Sequence, residues 1–206
     1  MTRSKLQYIS QGTTAKEQAY NILQALDYGA DWIQLRWKTA TDEERVKLAE
    51  QVRQRCQDYQ ATYIINDSIA IAKRVDADGV HLGLNDEGIE KARDVLGKGK
   101  IIGGTANTIA DVTKRIDEGC DYIGLGPYRA TNTKEKLSPI LGIEGYRKII
   151  LHLKENQINF PPIYAIGGIG LADIQCLLEE GIYGVAISKA ITDTPMLVSD
   201  FKKLLQ

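Results

Sequence analysis

Along this chain, short apolar runs alternate with amphipathic stretches of helical period, and the alternation persists from one end to the other. The first run is Leu6–Ile9. Thr14 and Glu17 then have capping-box spacing, and Ala19, Ile22, Leu23 and Leu26 share one helical face that Gly29 closes. Further strands are expected at 32–36, 62–65, Gly79–Leu82, 100–105, Tyr122–Leu125, Ile163–Ile166 and 184–188. Helices are expected between them: one opened by Thr41 and Glu44, then Ile69–Arg74, 86–96, a face of Ile109, Val112 and Ile116, Gly142–Glu155, and a face of Leu171, Ile174, Leu177 and Leu178. Thr194-Pro195 starts the last helix. Strict strand–helix alternation requires a parallel sheet with right-handed crossovers. Eight units in 206 residues, about 26 residues each, predict a single-domain α/β chain, a compact (β/α)8 TIM barrel over residues 1–206. An open doubly wound sheet is the alternative. It is disfavoured because no GxGxxG follows the first strand.

Composition narrows the partners. Lys plus Arg number 26 and Asp plus Glu 27, so a net charge of -1 gives no global field for nucleic acid or an anionic membrane. No segment approaches the roughly 20 apolar residues of a membrane span, and the N-terminal residues lack a signal-length apolar run. Cys56, Cys120 and Cys176 are odd in number, distant in sequence and outside any CxxC pattern. Reduced thiols and a cytoplasmic location are therefore expected. Small-molecule partners are expected, with no nucleic acid and no membrane. Whether the chain forms a homo-oligomer stays open.

In a (β/α)8 barrel the chemistry lies at the C-terminal ends of the strands. The second strand ends in QLRWK, and alternation sets Gln34, Arg36 and Lys38 on one side and Leu35 and Trp37 on the other. That reads as an anion site or a solvated strand end. After the third strand come Asn66, Asp67 and Ser68, and after the fourth Asp86. These residue types are also ordinary helix caps. Two carboxylates on adjacent strand ends can share one Mg2+ that substrate phosphate also holds. His81 reads as a barrel-interior histidine rather than a base. The loop after the sixth strand carries Arg129, Thr131, Thr133, Lys134 and Lys136, a composition suited to phosphate or to covering a site. The seventh and eighth strands end in IGGIG and AISK, so a phosphate is expected between Gly168 and Ser188.

These blocks, QLRWK at 34–38, IND at 65–67, DGVHLGLND at 78–86, GLGPYRATNTK at 124–134, AIGGI at 165–169 and GVAIS at 184–188, resemble the thiamine phosphate synthases in order and spacing over nearly the whole chain. The resemblance implies a Mg2+-dependent transferase. Such an enzyme joins hydroxymethylpyrimidine diphosphate to hydroxyethylthiazole phosphate by a dissociative path, releasing pyrophosphate. By that resemblance Arg36, Lys38 and Lys134 grip pyrophosphate, and Asp67 and Asp86 hold Mg2+. Gln34 and Asn66 contact the pyrimidine diphosphate. Thr131, Thr133, Gly168, Ile187 and Ser188 hold the thiazole phosphate.

Some positions depart from the family pattern. Thr105 stands for the usual Ser and keeps its hydroxyl, so it is carried over as a substrate contact. Asn107 stands for the usual His, so no histidine role there is essential to this chain. Leu84 occupies a position where Gln is frequent, and the Ser188-Lys189 pair is unusual. Two other readings use the same barrel. One is a thiazole tautomerase, which needs no pyrophosphate grip; the other is a non-catalytic sensor of thiazole or thiamine phosphate. A phosphosugar isomerase or epimerase would share the Gly168/Ser188 site, but the 131–134 loop fits it poorly.

Overall fold

The computed structural model describes residues 3–130 and 139–206. Eight strands run β1 Leu6–Ile9, β2 Trp32–Leu35, β3 Thr62–Asn66, β4 Gly79–Leu82, β5 Ile101–Ala106, β6 Tyr122–Leu125, β7 Ile163–Ile166 and β8 Gly184–Ile187. Each pairs in parallel with the next, and β8 pairs with β1, so the sheet closes. The helices between them are α1 Ala15–Asp27, α2 Asp42–Asp58, α3 Ile69–Arg74, α4 Ile89–Leu96, α5 Ile109–Asp117, α6 Gly142–Glu155 and α7 Ile174–Glu179, with α8 Lys189–Asp193 and α9 Leu197–Leu204 at the end. The expected (β/α)8 barrel is the observed fold.

Local chemistry explains the helix starts. The Thr14 hydroxyl accepts from the Glu17 amide at 3.2 Å, and the Glu17 carboxylate accepts from the Thr14 amide at 3.3 Å. Thr41 with Glu44, and Thr108 with Asp111, close the same reciprocal box. Several strand ends differ from expectation by one residue, and the helices differ more. The helix expected from 86 begins at Ile89, with Gly88 at its N-cap. The short helix α8 was not foreseen, and α9 starts at Leu197 rather than Pro195. A 3-10 turn, Leu171–Asp173, precedes α7.

Alternation divides the strands' side chains between two cores. The larger lies between sheet and helices and includes Leu35, Trp37, Ile65 and Ile123. The smaller comprises Trp32, Ile64, Tyr122 and Tyr164. Its three rings meet edge to face, with centroids 5.0–5.6 Å apart. Trp32 shares strand parity with Gln34, and Ile64 with Asn66, so this cluster underlies the polar positions nearer the strand ends. Gly103 on β5 makes room for it: a Cβ there would lie 2.2 Å from the Tyr122 ring. Arg3 stacks its guanidinium over Trp32 and Tyr122 at 5.9 and 5.7 Å.

Candidate active site

The carboxyl ends of β2, β3 and β4 bring together four charged side chains named from the sequence. Asp67 and Asp86 lie within hydrogen-bond reach of each other. Lys38 Nζ is 3.6 Å from Asp67 Oδ2, and Arg36 also acts on Asp67 through its charge. Burial, then the hydrogen bond and charge of Asp86, push the Asp67 carboxyl up to about 6; Lys38 and Arg36 pull the other way. Burial lowers the Arg36 guanidinium from its ordinary value, and Asp67 opposes that shift.

The capping reading fails for three of the acidic and amide positions. Ser68 is the N-cap of α3, accepting from the Ile71 amide at 3.2 Å, so Asn66 and Asp67 are not its cap. Asp67 also adopts a left-handed backbone, φ 66°, which a non-glycine residue seldom takes. Its amide donates to the His81 carbonyl at 2.8 Å. Asp86 lies three residues before α4 and is not its cap. Its carboxylate accepts from the Gly83 amide at 2.6 Å, which holds the turn after β4.

The ends of β1 and β2 fix the basic residues. The Arg36 amide donates to Ser10 Oγ at 3.0 Å, and the Arg36 carbonyl accepts from Gln18 Nε2 at 3.1 Å. Leu35 and Trp37 face the outer core, as alternation requires. Ser10 and Gln18 are both buried, and neither was singled out from the sequence. Arg45, in the first turn of α2, was also missed. With Lys38, Asn66 and Asp67 it lines a cavity of about 20 Å³, room for a single water. Its Nε is buried with no hydrogen-bond partner among the described residues, while its terminal nitrogen pairs with the exposed Asp42.

Deeper in the barrel, Gln34 and Thr105 join a buried polar layer. Gln34 Nε2 donates to Gln7 Oε1 at 3.0 Å, and Gln7 Nε2 donates to the Tyr122 hydroxyl at 3.2 Å. His81 Nδ1 lies 3.0 Å from the same hydroxyl, and His81 Nε2 lies 3.0 Å from Thr105 Oγ1. His81 is therefore an interior histidine, as expected. Arg115, buried on α5, donates to the Thr105 carbonyl at 3.0 Å and to the Gly83 carbonyl at 2.9 Å, tying the ends of β4 and β5. Asn107 donates its amide to the Gly126 carbonyl, a bond between the ends of β5 and β6.

The other side of the mouth is built by β7 and β8. Gly168 has φ +70°, and a Cβ there would lie 2.9 Å from Arg129 Cβ, so glycine is required on both counts. Arg129 donates to the Gly168 carbonyl at 2.9 Å and forks onto Asp173 at 2.5 and 2.6 Å. That fork holds the Asp173 carboxyl below the usual carboxylate range. Ser188 donates its hydroxyl to the Ile9 carbonyl at 2.7 Å, so a phosphate using this oxygen as donor must displace that bond. The Ile187 side chain is buried in the outer core. Thr131, Thr133 and Lys134 lie outside the described residues. Among the described residues no group of three or more His, Cys, Asp or Glu side chains comes together for a metal. The Asp67/Asp86 pair with adjoining cations suits a divalent ion whose remaining ligands are waters and substrate oxygens.

Comparison with known proteins shows the family. The family model for thiamine monophosphate synthase matches residues 6–191. The thiamine-phosphate synthase of Flavobacterium johnsoniae is 54% identical over 202 residues, covering 98% of this chain and 92% of the relative. That of Phocaeicola vulgatus is 45% identical over 201 residues, with 98% and 96% covered. The solved thiamine phosphate pyrophosphorylase of Pyrococcus furiosus superposes with a TM-score of 0.84 at 29% identity, covering 98% of this chain and 95% of that one. With a family model spanning most of its length and relatives this similar, the chain belongs to the thiamine monophosphate synthase family of transferases.

Proposed function

We propose that this enzyme joins hydroxymethylpyrimidine diphosphate to hydroxyethylthiazole phosphate, giving thiamine phosphate and pyrophosphate. The observation that carries the reading is the pairing of Asp67 and Asp86 beside Arg36 and Lys38 in one barrel mouth. Two mutually repelling carboxylates, Asp67 half-buried and Asp86 exposed, favour a bound cation, and adjoining cations favour a polyanion; a metal diphosphate supplies both. Mg2+, held by Asp67 and Asp86, would neutralise charge on the departing diphosphate. Arg36, Lys38 and, by resemblance, Lys134 would add charge-assisted hydrogen bonds to the same oxygens.

The reaction needs little else from the protein. The bond from the pyrimidine methylene to the diphosphate oxygen breaks, and the electron pair leaves with pyrophosphate. The lone pair of the thiazole nitrogen then forms the new carbon–nitrogen bond. That nitrogen carries no proton, so no general base is required. Contacts that strengthen as the leaving group gains charge lower the barrier rather than merely tightening substrate binding. Gln34, Asn66 and Thr105 would orient the pyrimidine diphosphate. Gly168, the backbone at Ile187, Ser188, Thr131 and Thr133 would hold the thiazole phosphate.

Both substrates are small anions, so the expected partners are small molecules. No helix among the described residues is long and apolar enough to cross a membrane. Two buried unpaired cysteines and one partly buried are consistent with a cytoplasmic location. Pyrophosphate binding by calorimetry tests the reading, since a tautomerase or a sensor of thiazole phosphate has no use for such a grip. Mg2+ is expected to tighten pyrophosphate binding, and Asp67→Asn to weaken the Mg2+-dependent part at least tenfold. Wild-type protein that binds thiazole phosphate but ignores pyrophosphate, with or without Mg2+, contradicts it.

A further inference from the structure

The polar layer inside the barrel connects two of the proposed substrate contacts, and its amide donors give it a direction. Gln34 sits on β2, Gln7 on β1, Tyr122 on β6, His81 on β4 and Thr105 on β5. Gln7, Gln34 and Tyr122 are at most 2% exposed and His81 is 7% exposed, so water does not substitute for these partners. The Tyr122 oxygen receives the Gln7 amide at 3.2 Å, and the Gln34 amide lies against the same oxygen. Amide NH2 groups only donate. Tyr122, a phenol that burial drives far above its usual titration range, keeps its own proton. The partner left for that proton is His81 Nδ1, at 3.0 Å. Nδ1 then accepts, so the ring proton sits on Nε2 and is donated to Thr105 Oγ1 at 3.0 Å.

The order has a consequence at each end. The Gln34 amide nitrogen is turned inward, donating to Gln7 Oε1 and lying against Tyr122, which leaves Gln34 Oε1 as an acceptor with no donor among the described residues. Thr105 receives at its oxygen, so its hydroxyl hydrogen is left to donate. We propose that Tyr122 is a positioning residue which, through Gln7 and His81, sets the direction of this relay so that Gln34 presents an acceptor and Thr105 a donor to one substrate. The ligand class that complements this pair carries an N–H donor and a heteroatom acceptor on one rigid frame, as an aminopyrimidine bearing a diphosphate does. The identity of that substrate rests on the function proposed above; the direction of the relay does not.

The chain has two histidines, so a long-range 1H–15N spectrum of the whole protein resolves the question. His81 is expected as the Nε2–H tautomer in the wild type. Tyr122→Phe is expected to abolish that single tautomer while His152 is unmoved, and to lower kcat/KM for the pyrimidine diphosphate about tenfold, the weight of one buried hydrogen bond. KM for thiazole phosphate should stay within about twofold, because its proposed contacts lie outside the relay. If Tyr122→Phe does not fold, Gln7→Leu is the second variant: it should keep the His81 tautomer and still raise KM for the pyrimidine diphosphate alone. An Nδ1–H tautomer in the wild type, or a Tyr122→Phe enzyme with unchanged tautomer and unchanged kcat/KM, overturns the proposal. Wild-type protein that shows the Nε2–H tautomer but makes no thiamine phosphate overturns the substrate reading and leaves the relay standing.

Discussion

At the scale of single residues, the site is a balance between two carboxylates and the cations beside them. Asp67 is the most perturbed of these groups, pushed up to about 6 by burial and by Asp86. Its folded-state value lies above its unfolded one, so without metal the folded state prefers the protonated acid. Asp67 therefore costs stability as pH rises from about 4 toward 6. A bound divalent ion needs the ionised form and reverses that preference. The thermal stabilisation given by Mg2+ is therefore expected to be larger at pH 7.5 than at pH 5.5; equal gains at both would rule out Asp67 as a ligand. Lys134→Ala is expected to slow turnover by about 100-fold or more while leaving thiazole phosphate affinity nearly unchanged. Equal losses in both would contradict a role centred on the leaving group. Most of the mouth was legible in the sequence because its residues follow strand ends in recognisable blocks. Ser10, Gln18, Arg45 and Arg115 were not. Each acts from a distant element on the backbone or cavity of another, and neither a serine just after a strand nor a polar residue on an amphipathic helix gives a sign of that duty.

At the scale of elements, the capping residues and the strand interiors carry different information. Thr14, Thr41 and Thr108 announced or opened helices whose starts follow directly from side-chain chemistry. Thr41→Ala should remove about 1 kcal/mol of stability, read as a lower midpoint in denaturant, with turnover otherwise intact. The start of α4 was misread because Asp86 resembles a cap, whereas its carboxylate is engaged by the Gly83 amide in the preceding turn. Inside the sheet, Gly103 opposite the Tyr122 ring is a packing requirement visible only once β5 and β6 are paired. Gly103→Ala is expected to destabilise by about 1–3 kcal/mol in a denaturation experiment, because the ring must move and neither Trp32 nor Tyr164 leaves space. A variant as stable as the wild type would show that the inner aromatic cluster is not tightly packed.

At the scale of the whole molecule, the closed sheet separates support from chemistry along the barrel axis. An aromatic layer fills the interior, a hydrogen-bonded layer lies above it, and charge gathers at the strand ends. The alternation of strand and helix was enough to foresee the barrel, since eight repeated βα units leave few other closures. The polar layer was harder to foresee. Gln7, Tyr122 and His81 read as isolated strand residues, and their connection depends on side chains meeting across the interior. The most direct test of the account is turnover. Purified protein would be given hydroxymethylpyrimidine diphosphate, hydroxyethylthiazole phosphate and Mg2+, and thiamine phosphate and pyrophosphate would be followed by chromatography. The account requires the two products in equal amounts, and their loss when EDTA removes the metal. Protein that binds thiazole phosphate yet forms neither product would contradict it and favour the tautomerase or the sensor.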